Sequence, residues 1–427
     1  MRYEIFSLSA HGLHSKQYNI SYLKQQSQLA FQHKNYLQAS IYLKKLLKIM
    51  PEDSDTLLNF AYAELKQQHN KVAYKFYQLA LKYHPRHFAE IYDGLAEVCY
   101  YLKKKEEQIH YARCALETKK QQVAQEFSYP IPTQNAPQFN AANRLENIIS
   151  YSLFGGEARY CENAIHNVKR AKVIFPEWTC RFYVDNTVPD AIIVKLQVLG
   201  AQVIFVTEQQ GQISGLFWRF FVLDDAHVKR FLIRDADSIL SYREQATVIA
   251  WIKAKTWFHT LCDAYSHTEL ILAGLWGGCN GIFKNVQQNI EQYIATNATK
   301  QCRTLDQHYL RQRIYPTLQH NVLIHDSQFY HSVAHNFPPT QKQFPEENTA
   351  DFHVGKNDAT YFIHMQLPLE PIKSITWFIV NEDAHEVCRY THCVKQGQQH
   401  LSFAIPSAYA FALDQKKWHL FHEIKKA

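Results

Sequence analysis

The sequence predicts a mainly parallel α/β domain, preceded by an all-α repeat domain and followed by a small β-rich extension. Two patterns carry this reading: a recurring spacing in the first third, and apolar runs that alternate with helical stretches after residue 147. At 427 residues the chain exceeds one ordinary core, so two or three domains are expected.

In the first third, Tyr36-x-x-Ala39, Leu46-Leu47 and Pro51 recur as Asn70-x-x-Ala73, Ala80-Leu81 and Pro85. Ala39 to Ala73 and Pro51 to Pro85 are each 34 positions apart, and Ala96 with Ala115-Leu116 marks a looser third copy. Small residues let paired helices approach closely, and the proline ends the second helix of each pair. The pattern resembles the tetratricopeptide repeat family over residues 20–120. That resemblance implies a concave surface for a peptide or protein partner; a purely supporting helical stack is the alternative. Pro130, Pro132 and Pro137 then interrupt a polar stretch and read as a linker. The expected organisation is an N-terminal segment 1–19, repeats 20–125, linker 126–144, sheet domain 145–345 and extension 346–427.

Within the sheet domain, Asn147 to Phe154 is an apolar run ending at Gly155-Gly156, followed by an amphipathic stretch from Arg159 to Ile174. Cys180 to Val184 gives a second strand, Pro189 opens a helix towards Leu199, and Ala201 to Val206 gives a third strand. After a helical piece around Trp218, Val228 to Ile233 gives a fourth. Such alternation implies a parallel sheet covered on both faces, with its ligand at the carboxyl ends of the strands.

Asp235 and Asp237 stand just past the fourth strand, two residues apart, so extended geometry puts both carboxylates on one face. Like charges held together favour a neutralising cation, and hard oxygen ligands suit Mg²⁺ or Mn²⁺. A cation there would stabilise charge on a diphosphate leaving group. Capping of the following helix is the plainer reading.

The surrounding order is more specific. Trp218-Arg219-Phe220, Asp224-Asp225, Arg234-Asp235-Ala236-Asp237-Ser238, Arg243-Glu244, Trp251, His259, His267 and Gly274-Leu275-Trp276-Gly277-Gly278 succeed one another. This set resembles GT-A-type glycosyltransferases (a Rossmann-like, mostly parallel sheet) with an Arg-Asp-x-Asp-Ser motif, over residues 145–330. The resemblance implies transfer of a sugar from a nucleotide-sugar donor to a glycan, lipid-linked or protein acceptor. Asp235 and Asp237 would hold Mn²⁺ or Mg²⁺ and the donor diphosphate. Arg219 would reach the diphosphate or lock the carboxylates; an ion pair with Asp224 or Asp225 is its alternative. Gly274, Trp276 and Gly277 would line the donor or acceptor cleft, unless Trp276 is core. Asp306 would be the base that takes the acceptor's proton, or a helix-start carboxylate. His325 would be a third metal ligand, or structural. Arg243-Glu244 would close over phosphates, or pair on a helix surface.

Two rivals remain: a non-catalytic tetratricopeptide adaptor with a degenerate transferase-like domain, and a haloacid-dehalogenase-like phosphatase. The phosphatase motif sits on an early strand, whereas three strand–helix units precede Asp235 here.

The net charge of +7 is modest and no nucleic-acid motif accompanies it. The nine cysteines are odd in number and lack a CxxC pair, which fits reduced thiols in a cytoplasm. With no signal-like leader and no long apolar run, the expected location is cytoplasmic, with at most peripheral contact to the inner face of a membrane.

Overall fold

The computed structural model describes residues 7–83, 88–297, 304–329, 333–358, 361–368, 370–395 and 397–426, with side chains from residue 17 onward. Pro85 and Cys302 lie outside the described residues. The chain divides into two compact units, one of Met1–Glu126 with Ala264–Leu270 and Ser327–Ser332, the other of Phe127–Asp263, Ile271–Asp326 and Val333–Ala427.

The first unit contains tetratricopeptide-like helical repeats, α1 (Ser7–Gln32), α2 (Tyr36–Ile49), α3 (Ser54–Lys66), α4 (Asn70–Tyr83), α5 (Ala89–Tyr101) and α6 (Lys105–Gln122). The α2 helix ends just before Met50 and Pro51, where the ring cannot continue it. Ala39, Ala61, Ala73, Ala80, Ala96 and Ala115 are all fully buried, so the repeated small residues mark helix contacts. Asn35 and Asp53 cap α2 and α3, their side chains accepting from the amides of Gln38 and Thr56 at 3.1 Å each. Gly94 leaves room for the Tyr77 ring; a Cβ there would sit 2.2 Å from it.

The second unit is a mixed, mainly parallel sheet domain. In order it holds β1 (Asn147–Leu153), α7 (Ala158–Ile174), β2 (Thr179–Val184), α8 (Asp190–Val198), β3 (Gln202–Phe205) and a single turn α9 (Glu208–Gly211). A 3₁₀ stretch (Gly215–Asp224), β4 (Arg230–Arg234), α10 (Tyr242–Ala254), β5 (Phe258–Cys262), β6 (Leu275–Cys279) and α11 (Val286–Thr296) come next. Then come α12 (Leu305–Tyr309), a π turn (Leu310–Ile314), α13 (Tyr315–Leu318) and β7 (Val322–Asp326). Pro316 lacks an amide and crowds the carbonyl one turn back, which accounts for the widened turn before it.

The sheet order is β3-β2-β1-β4-β6-β5-β7. Strands β1 to β4 and the β5–β7 pair are parallel, but β6 runs antiparallel between β4 and β5. The chain steps outward from β1 through β2 to β3, then returns to lay β4 on the other side of β1. The switch point therefore lies between the carboxyl ends of β1 and β4, where such sheets open a crevice.

The C-terminal part holds β8 (Tyr361–Gln366), β9 (Ile372–Val380), β10 (Glu386–Cys393), β11 (His400–Ile405), α14 (Ser407–Asp414) and β12 (His419–Lys426). β9 is the middle of an antiparallel three-strand sheet, and β8 pairs with β11. Tyr390 and Tyr409 donate to the two oxygens of buried Glu162 on α7, at 2.6 and 2.8 Å. Burial raises the pKa of that carboxyl, and the two hydroxyls act against the rise. No described helix is long and apolar enough to cross a membrane.

Candidate functional site

The site is built at the switch point. Ser150 and Ser152 lie on one face of β1, two residues apart, and grip the backbone of Arg219. The Ser150 hydroxyl donates to the Arg219 carbonyl at 2.7 Å, and the Arg219 amide donates to the Ser152 hydroxyl at 2.9 Å. The 3₁₀ stretch is thus fixed above β1, and the Arg219 guanidinium projects between two acids. It pairs with Asp235 through one nitrogen and with Asp306 at 2.8 Å through the other. Arg219, Asp235 and Asp306, all candidates on sequence grounds, are therefore joined by one guanidinium, which locks the carboxylates. Asp224 and Asp225 are engaged elsewhere. Asp224 accepts from the Val286 and Gln287 amides at the start of α11, at 2.8 Å each, and Asp225 pairs with Arg181 at 2.8 Å.

Asp237 has its own set of partners. Its Oδ2 accepts from Arg159 at 3.2 Å and from Asn357 at 3.0 Å, and its carbonyl accepts from the Asp358 amide at 2.8 Å. Asn167 of α7 shapes the loop beneath, donating to the Ser238 carbonyl and accepting from the Leu240 amide, at 2.9 Å each. Burial, then the negative charge of Asp235, pushes the Asp237 carboxyl up to about 6, against the pull of Arg159. Burial likewise raises Asp306, against the attraction of Arg219.

Gly274 lies directly under Asp235, where a Cβ would come 2.0 Å from Oδ2. Gly274→Ala should therefore displace the Asp235 carboxylate from Arg219 and cost about 1–3 kcal/mol of stability. Denaturant unfolding checks this; an unchanged midpoint would show that the glycine does not set the carboxylate's place.

Other expectations need correction. Trp276 does not line a cleft: it is fully buried, with Phe220 and Phe231 ring centroids at 6.2 and 5.1 Å. Gly277 serves sheet packing, since a Cβ there would lie 2.7 Å from Leu232 and from the Phe231 carbonyl. His325 lies inside β7 and meets His259 of β5 at 2.9 Å; burial and then His335 push it down to about 4, so it is neutral. Among the described residues no three His, Cys, Asp or Glu side chains form a group that could hold a metal ion, so His325 does not join Asp235 and Asp237. Asp306 has both oxygens engaged, one by Arg219 and one by the Gln307 amide at 2.9 Å, which suits positioning better than proton abstraction. Arg243 and Glu244 do not pair with each other: Arg243 binds Asp263 through two bonds of 2.9 and 2.7 Å, and Glu244 pairs with buried Arg234.

Arg159, Asn167 and Asn357 belong to the site without being candidates on sequence grounds. An arginine in the first turn after Gly155-Gly156 is a usable signal for the first. Asn357 carries none, because its partner lies 120 positions away.

No family model matches the chain, and no curated protein matches it. Among solved structures it is similar to the TPR2B domain of yeast Sti1 in complex with pHsp70, at 17% identity over 24% of this chain and 82% of that chain, TM-score 0.23. The first TPR domain of human RPAP3 is similar at 22% identity over 23% of this chain and 77% of that chain, TM-score 0.22. A mutant O-GlcNAc transferase of Thermobaculum terrenum is similar at 18% identity over 45% of this chain and 42% of that chain, TM-score 0.25.

Proposed function

We propose that the sheet domain is a GT-A-type glycosyltransferase that uses a nucleotide-sugar donor and a divalent cation. The observation that carries this is the Asp235–Asp237 pair past the carboxyl end of β4, at the switch point, in a cluster with surplus negative charge. Three carboxylates (Asp235, Asp237, Asp306) face two guanidinium groups (Arg159, Arg219), so with all of them ionised the cluster carries one excess negative charge. The hard oxygen donors and the 45% exposure of the Asp235 side chain support Mn²⁺ or Mg²⁺ held by two carboxylates alone, with the remaining ligands from water and the donor's phosphates. Asp235 and Asp237 would hold the ion, which when bound offsets charge developing on the departing diphosphate. Arg219 orients Asp235 and is itself held by Asp306; Arg159, now paired with Asp237, would meet a phosphate on leaving it. The acceptor would be a glycan, lipid-linked or protein hydroxyl, with the helical repeats positioning it or a protein partner.

A second reading, an adaptor whose sheet domain is inert, is favoured by the fact that both Asp235 and Asp237 already have arginine partners. A thermal-shift screen of nucleotide-sugars with and without Mn²⁺ separates the two. A ligand at about 100 times its Kd adds about 2.7 kcal/mol, or roughly 5–10 °C, and the gain should require Mn²⁺. A flat panel would favour the adaptor.

A further inference from the structure

The helical unit sorts its charges by helix. From Ile5 to Pro51 the sequence holds no Asp or Glu, and from Leu65 to Ala89 it again holds none; Glu52, Asp53, Asp55 and Glu64 are the acids between. As a result α2 and α4 carry Lys44, Lys45, Lys48, Lys71, Lys75 and Lys82 and no acid. The neighbouring α3 and α5 hold Asp55, Glu64, Glu90, Asp93 and Glu97. Well-behaved soluble surfaces intersperse the two signs, so a one-signed pair of helices calls for a cause.

The lysines also share a face. With about 100° of turn per residue, Leu37, Ile41, Lys44, Lys45 and Lys48 fall within a roughly 100° arc of α2, and all five are exposed. On α4, Lys71, Lys75, Gln78 and Lys82 fall within a roughly 60° arc with Val72 at its border, and all are exposed. The 34-residue spacing carries Leu37 onto Lys71, Ile41 onto Lys75 and Lys48 onto Lys82, so consecutive repeats present the same face. Among the described residues, none of the six lysines pairs with a carboxylate. Lys45 and Lys82 rest over the rings of Tyr42 and Tyr83, which leaves their charge uncompensated. Glu107 of α6, the acid that meets α4 through Tyr74, is held by Lys104 at 2.7 Å. Among these cations stand aliphatic side chains, Leu37 at 63% exposure, Ile41 at 43% and Val72 at 40%.

We propose that this face of α2 and α4 docks the protein on an anionic membrane surface. The ammonium groups meet acidic headgroups as mobile point charges, and the aliphatic groups between them enter the boundary of headgroup and acyl chain. Long lysine stems allow both at once, since the stem lies along the apolar layer while the charge stays in water. A nucleic acid fits less well. The two helices hold no arginine for bidentate phosphate contacts, and exposed aliphatic groups give a base no ring to stack on. Such docking needs neither a metal nor a nucleotide-sugar and stands apart from the transfer proposed above.

The test is vesicle co-sedimentation of the full chain in EDTA, without nucleotide. The probes are three-to-one phosphatidylcholine–phosphatidylglycerol vesicles and pure phosphatidylcholine vesicles. The mixed vesicles should bind at least tenfold more tightly, and the difference should fall as salt rises. A DNA duplex added at equal phosphate should leave that binding in place. Lys48→Gln and Lys75→Gln, one on each helix, should each weaken it about fivefold and together about 25-fold, since each lysine near an anionic surface adds a similar increment. Ile41→Gln should weaken it about fivefold as well. All three side chains are exposed, so thermal unfolding should not move. Lys172→Gln, at an exposed position on α7, should change nothing. Equal binding to both vesicles, no binding, release by DNA, indifference to the two lysine substitutions, or an equal loss in Lys172→Gln would overturn the proposal. With no metal or donor present, such a failure leaves the transferase reading untouched, and failure of that reading would leave this result standing.

Discussion

Asp237→Asn is expected to lower the proposed sugar transfer by roughly 10²–10³-fold, the scale seen when one stabiliser of developing charge is removed. The amide keeps the side chain's shape and its oxygen acceptor towards Arg159 and Asn357, so the fold should survive. The charge that would hold the cation disappears. The wild-type pH dependence supplies a second readout. With its pKa raised to about 6, Asp237 is ionised above that value and protonated below it. Mn²⁺ affinity should then fall about tenfold per pH unit below pH 6, because the ion and the proton compete for one carboxylate. The effect on stability runs the other way. A carboxyl whose pKa is higher folded than unfolded binds its proton more tightly in the folded state. Its contribution to stability therefore grows as pH falls through 6 towards the ordinary carboxylate range, and Asp237→Asn should flatten that slope. Titration calorimetry across pH 5–8 and denaturant unfolding over the same range read both. Full activity in the variant, or Mn²⁺ affinity indifferent to pH, would remove the metal role.

Much of this site is legible in the sequence because its determinants are local. Strand β1, helix α7 and strand β2 arise from apolar runs and a helical period within a few residues of each other. Asp235 and Asp237 stand out because they are the first acids beyond the carboxyl end of β4. The repeated alanines are legible for a similar reason, since a period along the chain becomes a period of helix contacts. Orientation is less accessible. Every residue of β6 is buried, so no polar–apolar alternation reveals which side of the sheet Trp276 faces, or that β6 runs antiparallel. His325 is part of β7, and its ring meets His259 of β5, 66 positions away, a pairing that no local pattern carries. Asn357 and Arg159 reach Asp237 across 120 and 78 positions, and no local pattern carries such a contact.

Arg219→Ala is expected to destabilise the sheet domain by about 3–5 kcal/mol, the range for breaking a buried pair by deleting one partner. The cost falls unevenly. Asp235 is 45% exposed and can recover solvent, whereas the Asp306 side chain is 5% exposed and would be left as an uncompensated charge. Burial already raises Asp306, and losing Arg219 removes the main force acting against that rise. The variant should escape part of its penalty by protonating Asp306. The folded state then holds the proton more tightly than the unfolded state, so the stability deficit should shrink as pH falls from 7 towards the ordinary carboxylate range. Adding Asp306→Asn removes the stranded charge, so the double variant should regain roughly half of the lost stability at pH 7. A single variant as stable as the wild type, or a deficit that widens on acidification, would mean the guanidinium is not what balances these acids. In that case the excess negative charge inferred at the strand ends would lose its basis as well.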